Sequence, residues 1–263
     1  VAVKPGSVNH ALTKVLMTGA AGYLGSRLRP LLRERFDFRA VDVRPTEDEP
    51  DSHVADLTRL DEVLPLMDGV NVVMHLAIAS QREFRERPDE FAEAQLDVNV
   101  KGTYHVLEAA RRAEVQRVVI ASSSMTIWGY PLNRYVAQND PACPNLLYGA
   151  TKYCGEVLGE LYAREHGLSV LCWRIGQPAD HTNQEAKRRQ HSPRDGNALV
   201  TFVDIANGFA VAAEAESVPF GVYPLLSDNP ECYCDTSAAR FALGYEPVHR
   251  FTDDGVETLR EWP

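Results

Sequence analysis

The stretch Thr18-Gly19-Ala20-Ala21-Gly22-Tyr23-Leu24-Gly25 constrains this chain more than any other. It follows a short apolar run, Lys14–Thr18, and opens an amphipathic one, Gly22–Arg35. Glycine at 19 can take the positive φ of a tight turn. Gly22 lets the backbone approach a pyrophosphate, and Gly25 lets the new helix pack closely on the strand it leaves. The first turn of that helix offers unpaired N–H groups and a partial positive charge to an anion. A glycine pattern alone is a weak signal. In a strand–turn–helix context it is the signature of a dinucleotide site, with Gly19, Ala21, Gly22, Tyr23, Leu24 and Gly25 around the phosphates.

The rest of the chain extends this unit. Strands are expected at Phe38–Val43, Val54–Ala55, Asn71–Leu76, Arg117–Ala121 and Ser169–Trp173, and helices at Leu57–Met67, Pro88–Arg112 and Asn145–His166. The strands are almost continuously apolar, as buried parallel strands are, and the alternation with helices implies crossover connections. The expectation is an α/β fold, a Rossmann-type doubly wound parallel sheet with a small C-terminal substrate-binding region. Residues 1–13 are expected to form an N-terminal arm, 14–176 the nucleotide-binding domain, and 177–263 mostly the substrate-binding region. Within the last, 200–226 is expected to return to the core, through a helix at Val203–Glu214 and a strand at Gly221–Leu226. A short helix is expected at Thr236–Leu243. The polar stretch Pro178–Asn197, with Lys187-Arg188-Arg189, is too long for a simple turn and reads as a functional loop or lid.

Composition excludes several partners. The chain has 263 residues and a net charge of −10, which argues against nucleic acid or an anionic membrane as the main partner. No apolar run approaches the roughly 20 residues of a membrane span, and residues 1–14 lack the apolar stretch of a signal peptide. The five cysteines, Cys143, Cys154, Cys172, Cys232 and Cys234, are odd in number and scattered, so no disulfide framework is expected. Cys232-Tyr233-Cys234 lacks the spacing of a zinc or redox CxxC site, and no metal is expected. Reduced thiols point to the cytoplasm.

Asp42 ends the second strand about twenty residues beyond the turn, where a carboxylate accepts the adenosine ribose hydroxyls and repels a 2′-phosphate. NAD is therefore expected over NADP, with Arg44 two residues on as a complication. Asp56 can accept the adenine amino group while Leu57 packs on the ring; Asp56 as a helix N-cap is an equal alternative. Tyr148 and Lys152 lie four apart in an expected helix and so share a face. A free tyrosine, with a pKa near ~10, is a poor base at neutral pH. A neighbouring ammonium and an oxidised nicotinamide would stabilise its phenolate. Ser122-Ser123-Ser124 ends the fifth strand, on the side of an open α/β sheet where ligands bind.

Residues 14–176 resemble the extended short-chain dehydrogenase/reductase family, which includes nucleotide-sugar epimerases, dehydratases and sugar dehydrogenases. The pieces that carry this are 18–25, Asp42, Asp56-Leu57, His75-Leu76-Ala77, 98–103, 121–124 with Gly129, and Tyr148 through Lys152. The resemblance implies that Ser124, five before Gly129, is the catalytic serine, with Tyr148 and Lys152, and that Ser123 is its neighbour. It also implies that Leu76, Ala77 and Ile78 line the cofactor and that Asn99 lies near it. Ser122 and Ile175 are expected there too. His75 is expected to be a satisfied strand-end histidine.

A narrower resemblance is to uronate dehydrogenases, which oxidise the C1 hydroxyl of a hexuronic acid to a lactone. It rests on 75–80, Arg174-Ile175-Gly176, Ser227-Asp228-Asn229, 234–237 and 243–247. It implies that Ser80, Ser124, Met125, Thr126 and Gln177 face the sugar and that Arg194 holds its carboxylate, a match for a guanidinium fork. Met125, Thr126 and Gln177 stand where that group has Asn, His and Ser, and 81–95 is longer. Only about ninety residues follow the sixth strand, which favours a small substrate over a nucleotide sugar. The alternatives are an epimerase or dehydratase that recycles NAD, or an NAD-sensing regulator without turnover. Long helices near 88–113 and 145–166 make a homodimer the expected assembly.

Overall fold

The computed structural model describes residues 12–80, 84–180, 198–230, 232–252 and 255–262. Its strands are β1 (Thr13–Thr18), β2 (Phe36–Asp42), β3 (Ser52–Val54), β4 (Val72–His75), β5 (Arg117–Ser123), β6 (Ser169–Ile175), β7 (Gln177–Ala179), β8 (Leu199–Thr201), β9 (Phe220–Leu225), β10 (His249–Thr252) and β11 (Gly255–Thr258). Its α-helices are α1 (Gly25–Leu32), α2 (Leu60–Val63), α3 (Pro88–Ala94), α4 (Thr103–Arg112), α5 (Leu147–His166), α6 (Phe202–Glu214) and α7 (Ser237–Leu243). Seven strands form one sheet in the order β3-β2-β1-β4-β5-β6-β9. Every pairing in it is parallel.

Alternate residues of each strand enter opposite cores, so both faces are apolar. Val15 and Met17 of β1 join one cluster with Leu28 and Leu32 of α1 and Ile205 and Phe209 of α6. Leu16 joins the other with Val106 and Leu107 of α4 and Tyr162 of α5. This is the doubly wound fold read from the sequence. The strand order reverses between β1 and β4, which opens a crevice at the carboxyl ends of the strands. Helix α6 and strand β9 lie on this sheet, while β7–β8 and β10–β11 form two small sheets of their own.

Two helices differ from expectation. Pro88–Arg112 is not continuous: a π-helical stretch, Gln95–Gly102, separates α3 from α4. The hydroxyl of Thr103 donates to the Asn99 carbonyl at 2.6 Å, and the Asn99 side chain is fixed at both ends by other segments. Such competing side-chain bonds favour a widened turn, a form often found at functional sites. Leu57–Met67 is also shortened. Asp56 accepts from the Thr58 N–H in a local turn, α2 starts only at Leu60, and Pro65 turns Leu64–Met67 into a 3₁₀ helix. Asp56 is therefore not the N-cap of α2, a place held by Arg59.

Candidate functional site

Gly19 sits at φ +69°, and a Cβ on it would stand 2.7 Å from the Ala77 nitrogen. A Cβ at Gly25 would stand 2.4 Å from the Gly19 carbonyl oxygen and 2.7 Å from the Ala20 Cα. The turn is thus clamped between α1 and the segment leaving β4, and backbone closes it on both sides. At Gly22 a Cβ would meet only the Gly19 carbonyl group, at 3.0 Å and beyond, so the space above the first turn of α1 is open. That is a cradle of backbone in front of a helix N-terminus, which fits a pyrophosphate. Gly19→Ala combines a strained φ with a backbone clash, so we expect dinucleotide affinity to fall about tenfold or more in a calorimetric titration.

Asp42 closes one end of the cradle. One carboxylate oxygen accepts from the Ala21 N–H at 3.0 Å and the other from the Arg44 N–H at 3.1 Å. The carboxylate is nearly buried. Arg44 is exposed and reaches back to the Ala21 carbonyl at 3.2 Å, so a guanidinium borders the same spot. Tyr23 is 56% exposed, with the Arg27 guanidinium 4.3 Å from its ring centre, and faces outward, beside the cradle. Leu57, Leu76 and Ile175 are buried, and Ile78 is exposed. Asn99 lies in this rim: its Oδ1 accepts from the Ala79 N–H at 2.9 Å and its Nδ2 donates to Thr151 at 3.0 Å. It locks the segment after β4 to α5.

His75 is buried between the Thr18 and Thr103 hydroxyls, at 2.7 and 2.8 Å. Burial lowers its pKa to about 3, so it is neutral and structural, as expected.

Across the crevice, Tyr148 lies in the first turn of α5 and Lys152 one turn later. Burial raises the Tyr148 pKa to about 12, and the Ser123 hydroxyl, its hydrogen-bond partner, opposes the shift. The Lys152 Nζ donates to the Ala121 carbonyl at 2.7 Å and lies 5.8 Å from the centre of the Tyr148 ring. Burial lowers Lys152 to about 8. The two share a face as the spacing required. In the chain alone burial dominates the phenol, while the expected stabilisation of the phenolate rests on the ammonium together with an oxidised nicotinamide.

The three serines divide their tasks. The Ser122 hydroxyl donates to the buried Glu156 at 2.5 Å. Ser123 meets Tyr148 and accepts from the Met125 N–H at 3.2 Å. Ser124, expected as the catalytic serine beside Tyr148, is bonded to the Tyr233 phenol. Thr126 is fully buried with its hydroxyl on the Ser123 carbonyl, so it shapes the turn and does not face a sugar. Met125, Ser80 and Gln177 are partly exposed. Arg194 and most of the 178–197 loop lie outside the described residues. So do residues 1–11 of the expected N-terminal arm.

Sequence reading missed Glu156. It lies one turn beyond Lys152 and receives both arms of Arg174, at 2.9 and 2.8 Å, as well as Ser122. A YxxxK pattern with a glutamate four residues further on was the available signal. It also missed Tyr233, which nothing local distinguishes. Among the described residues no group of three or more His, Cys, Asp or Glu is placed to hold a metal, and no helix is long and apolar enough to cross a membrane.

Residues 15–195 match the family model described as the NAD dependent epimerase/dehydratase family. An NAD-dependent glucose-6-phosphate dehydrogenase of Haloferax volcanii is 31% identical over 89% of this chain and 92% of its own length. A uronate dehydrogenase of Pseudomonas syringae pv. tomato is 34% identical over 89% of this chain and 81% of its own. Among solved structures, uronate dehydrogenase from Agrobacterium tumefaciens complexed with NAD aligns with a TM-score of 0.77 at 25% identity, covering 91% of this chain and 86% of that one.

Proposed function

The chain belongs to the NAD-dependent epimerase/dehydratase family, the extended branch of the short-chain dehydrogenases/reductases, and on that premise we propose that it oxidises a hexuronic acid at C1 to the lactone. It is an oxidoreductase, its cofactor is NAD, and its substrate is a small molecule of the sugar and sugar-acid class. The observation that carries the reading is the meeting of Ser123, Tyr148 and Lys152 at the carboxyl end of β5, across the crevice from the glycine cradle.

Bound NAD supplies the acceptor for the hydride that leaves the sugar carbon. Gly19, Ala21, Gly22 and the first turn of α1 would hold its phosphates, Asp42 its adenosine ribose, and Lys152 its nicotinamide ribose. Tyr148 takes the proton of the sugar hydroxyl at its phenolate oxygen. Ser123 fixes the direction of that phenol, and Ser124 lies on the same turn. Lys152 keeps a positive charge behind the phenol, which favours the phenolate. Ser80, Met125 and Gln177 are proposed to border the sugar, and Arg194 to hold its carboxylate.

The test is NADH formation from NAD with a panel of uronic acids, neutral aldoses and simple alcohols. Turnover on galacturonate or glucuronate well above the neutral sugars supports the assignment. Turnover on neutral sugars alone removes the uronate and the role of Arg194, while NAD-recycling conversion of a nucleotide sugar without net NADH marks an epimerase.

Asp42 is proposed to set the cofactor preference against Arg44. Asp42→Ser should lower kcat/KM with NAD about tenfold or more, by loss of a charge-assisted acceptor, and raise it with NADP, whose 2′-phosphate Arg44 would then meet. We further propose a cytoplasmic homodimer. The free cysteines fit a reducing compartment. Leu96 of the π-helical stretch, Tyr104 of α4, and Tyr153, Val157 and Leu161 of α5 are each at least 40% exposed and suit a helix-on-helix interface. A Val157→Glu, Leu161→Glu pair should elute as a monomer in light-scattering chromatography.

A further inference from the structure

Cys232 and Cys234 lie on either side of Tyr233, and their sulfurs are 3.8 Å apart. The spacing is not CxxC, yet the fold brings the two thiols into van der Waals contact. The backbone does this: Val136 donates to the Tyr233 carbonyl at 2.8 Å, and Asp235 donates to the Val136 carbonyl at 3.0 Å. The segment is thereby pinned to the loop around Val136. Cys234 is buried and Cys232 is partly exposed. The Cys232 sulfur also reaches the Cys234 carbonyl at 3.2 Å.

Between these thiols, Tyr233 reaches into the candidate site. Its phenol oxygen accepts from the Trp128 Nε1 at 3.0 Å and is hydrogen-bonded to Ser124. Ser124 opens the 3₁₀ turn Ser124–Thr126, whose cap is Ser123, the partner of Tyr148. Tyr233 is thus a positioning residue, one turn removed from the phenol proposed to move the proton.

We propose that Cys232 and Cys234 are a redox-reactive thiol pair that closes to a disulfide by exchange with a low-molecular-weight disulfide, and that closure draws Tyr233 away from Ser124 and Trp128. The partly exposed Cys232 thiolate attacks one sulfur of the reagent, whose S–S bond breaks and releases one thiolate. Cys234, deprotonated, then attacks the Cys232 sulfur of the mixed disulfide and releases the second. The two cysteines lose two protons and two electrons, and the reagent leaves as two thiols. The hydrogen bond with the Cys234 thiol holds Cys232 below the ordinary thiol value, which favours it as the attacking partner. A disulfide needs its sulfurs about 2 Å apart, so the two must approach by more than an atomic radius, and Tyr233 is the residue between them.

The effect on turnover rests on the proposed dehydrogenase reading; the bond itself does not. The full chain is equilibrated in glutathione buffers of graded oxidation, trapped with an alkylating reagent and digested, and the peptide containing 232–234 is weighed. The expected peptide lacks two hydrogens and carries no alkyl group, while Cys143, Cys154 and Cys172 remain alkylated. Two alkyl groups on that peptide at every ratio, or glutathione held on Cys232 beside an alkylated Cys234, would overturn the proposal. On the best substrate found, the oxidised fraction should track a fall in kcat of roughly tenfold or more, as small displacements near a reacting group produce. Dithiothreitol should reverse it, and Cys232→Ser should be insensitive to oxidant. A disulfide that forms with kcat unchanged would overturn the coupling to Tyr233 and leave the thiol pair standing.

Discussion

Tyr148→Phe is expected to lower kcat about a thousandfold, the middle of the range that one general base contributes, with the affinity for NAD within a few-fold of the parent. That is a loss of about 4 kcal/mol of transition-state stabilisation. The phenylalanine keeps the ring and its packing at the start of α5 and removes only the oxygen bonded to Ser123. The sharper signature is the pH profile. Burial holds the Tyr148 phenol near 12, so across neutral pH the chain alone keeps it protonated. The active form for oxidation is the phenolate, so the rate should rise with pH, by up to about tenfold per unit. Lys152 titrates near 8, lowered by burial. Below that value it is charged and supports the phenolate; above it the support is lost, and the rise should flatten. Initial rates of NADH formation against pH check both arms. In Tyr148→Phe the rise should disappear, and an unchanged slope would remove Tyr148 from the chemistry.

The parts of this site that were legible in the sequence are those whose requirements are local. Gly19 and Gly25 can be read because the backbone around them excludes a Cβ, whatever else the chain does. Tyr148 and Lys152 can be read because a helix turns four residues into one face. What stayed hidden depends on distant partners. Asn99 widens its helix because it must serve Ala79 and Thr151, which lie 20 and 52 positions away. Three consecutive serines cannot be told apart by spacing alone. Their roles follow from which way each faces at the end of β5, and from Glu156, Tyr148 and Tyr233, each contributed by another segment. The protonated resting state of the tyrosine was hidden for a related reason. Spacing supplies the ammonium, but only the folded chain shows that its Nζ donates to the Ala121 carbonyl and that the phenol is desolvated.

Glu156→Leu should cost about 3–5 kcal/mol of stability, because it leaves the guanidinium of Arg174 buried without its partner. The Arg174 and Glu156 side chains are 13% and 3% exposed and meet through two parallel hydrogen bonds. Burial pulls the Arg174 pKa down, and the bonds to Glu156 more than reverse it. The leucine also strands the hydroxyl of Ser122. For a chain of this size the loss corresponds to a melting temperature lower by roughly 10 °C in calorimetry. The damage should not stop at stability. Through Ser122 and Arg174, Glu156 fastens α5 to β5 and β6, one turn from the lysine whose Nζ lies on Ala121. Once that fastening is released, Lys152 shifts relative to the crevice, so kcat should fall even well below the melting transition. A double variant, Glu156→Leu with Arg174→Met, separates the two effects. It restores an apolar interior and should recover most of the stability, as buried ion pairs replaced whole by apolar residues often do. Its kcat should stay low if the pair positions Lys152, and should return with the stability if the pair only holds the fold.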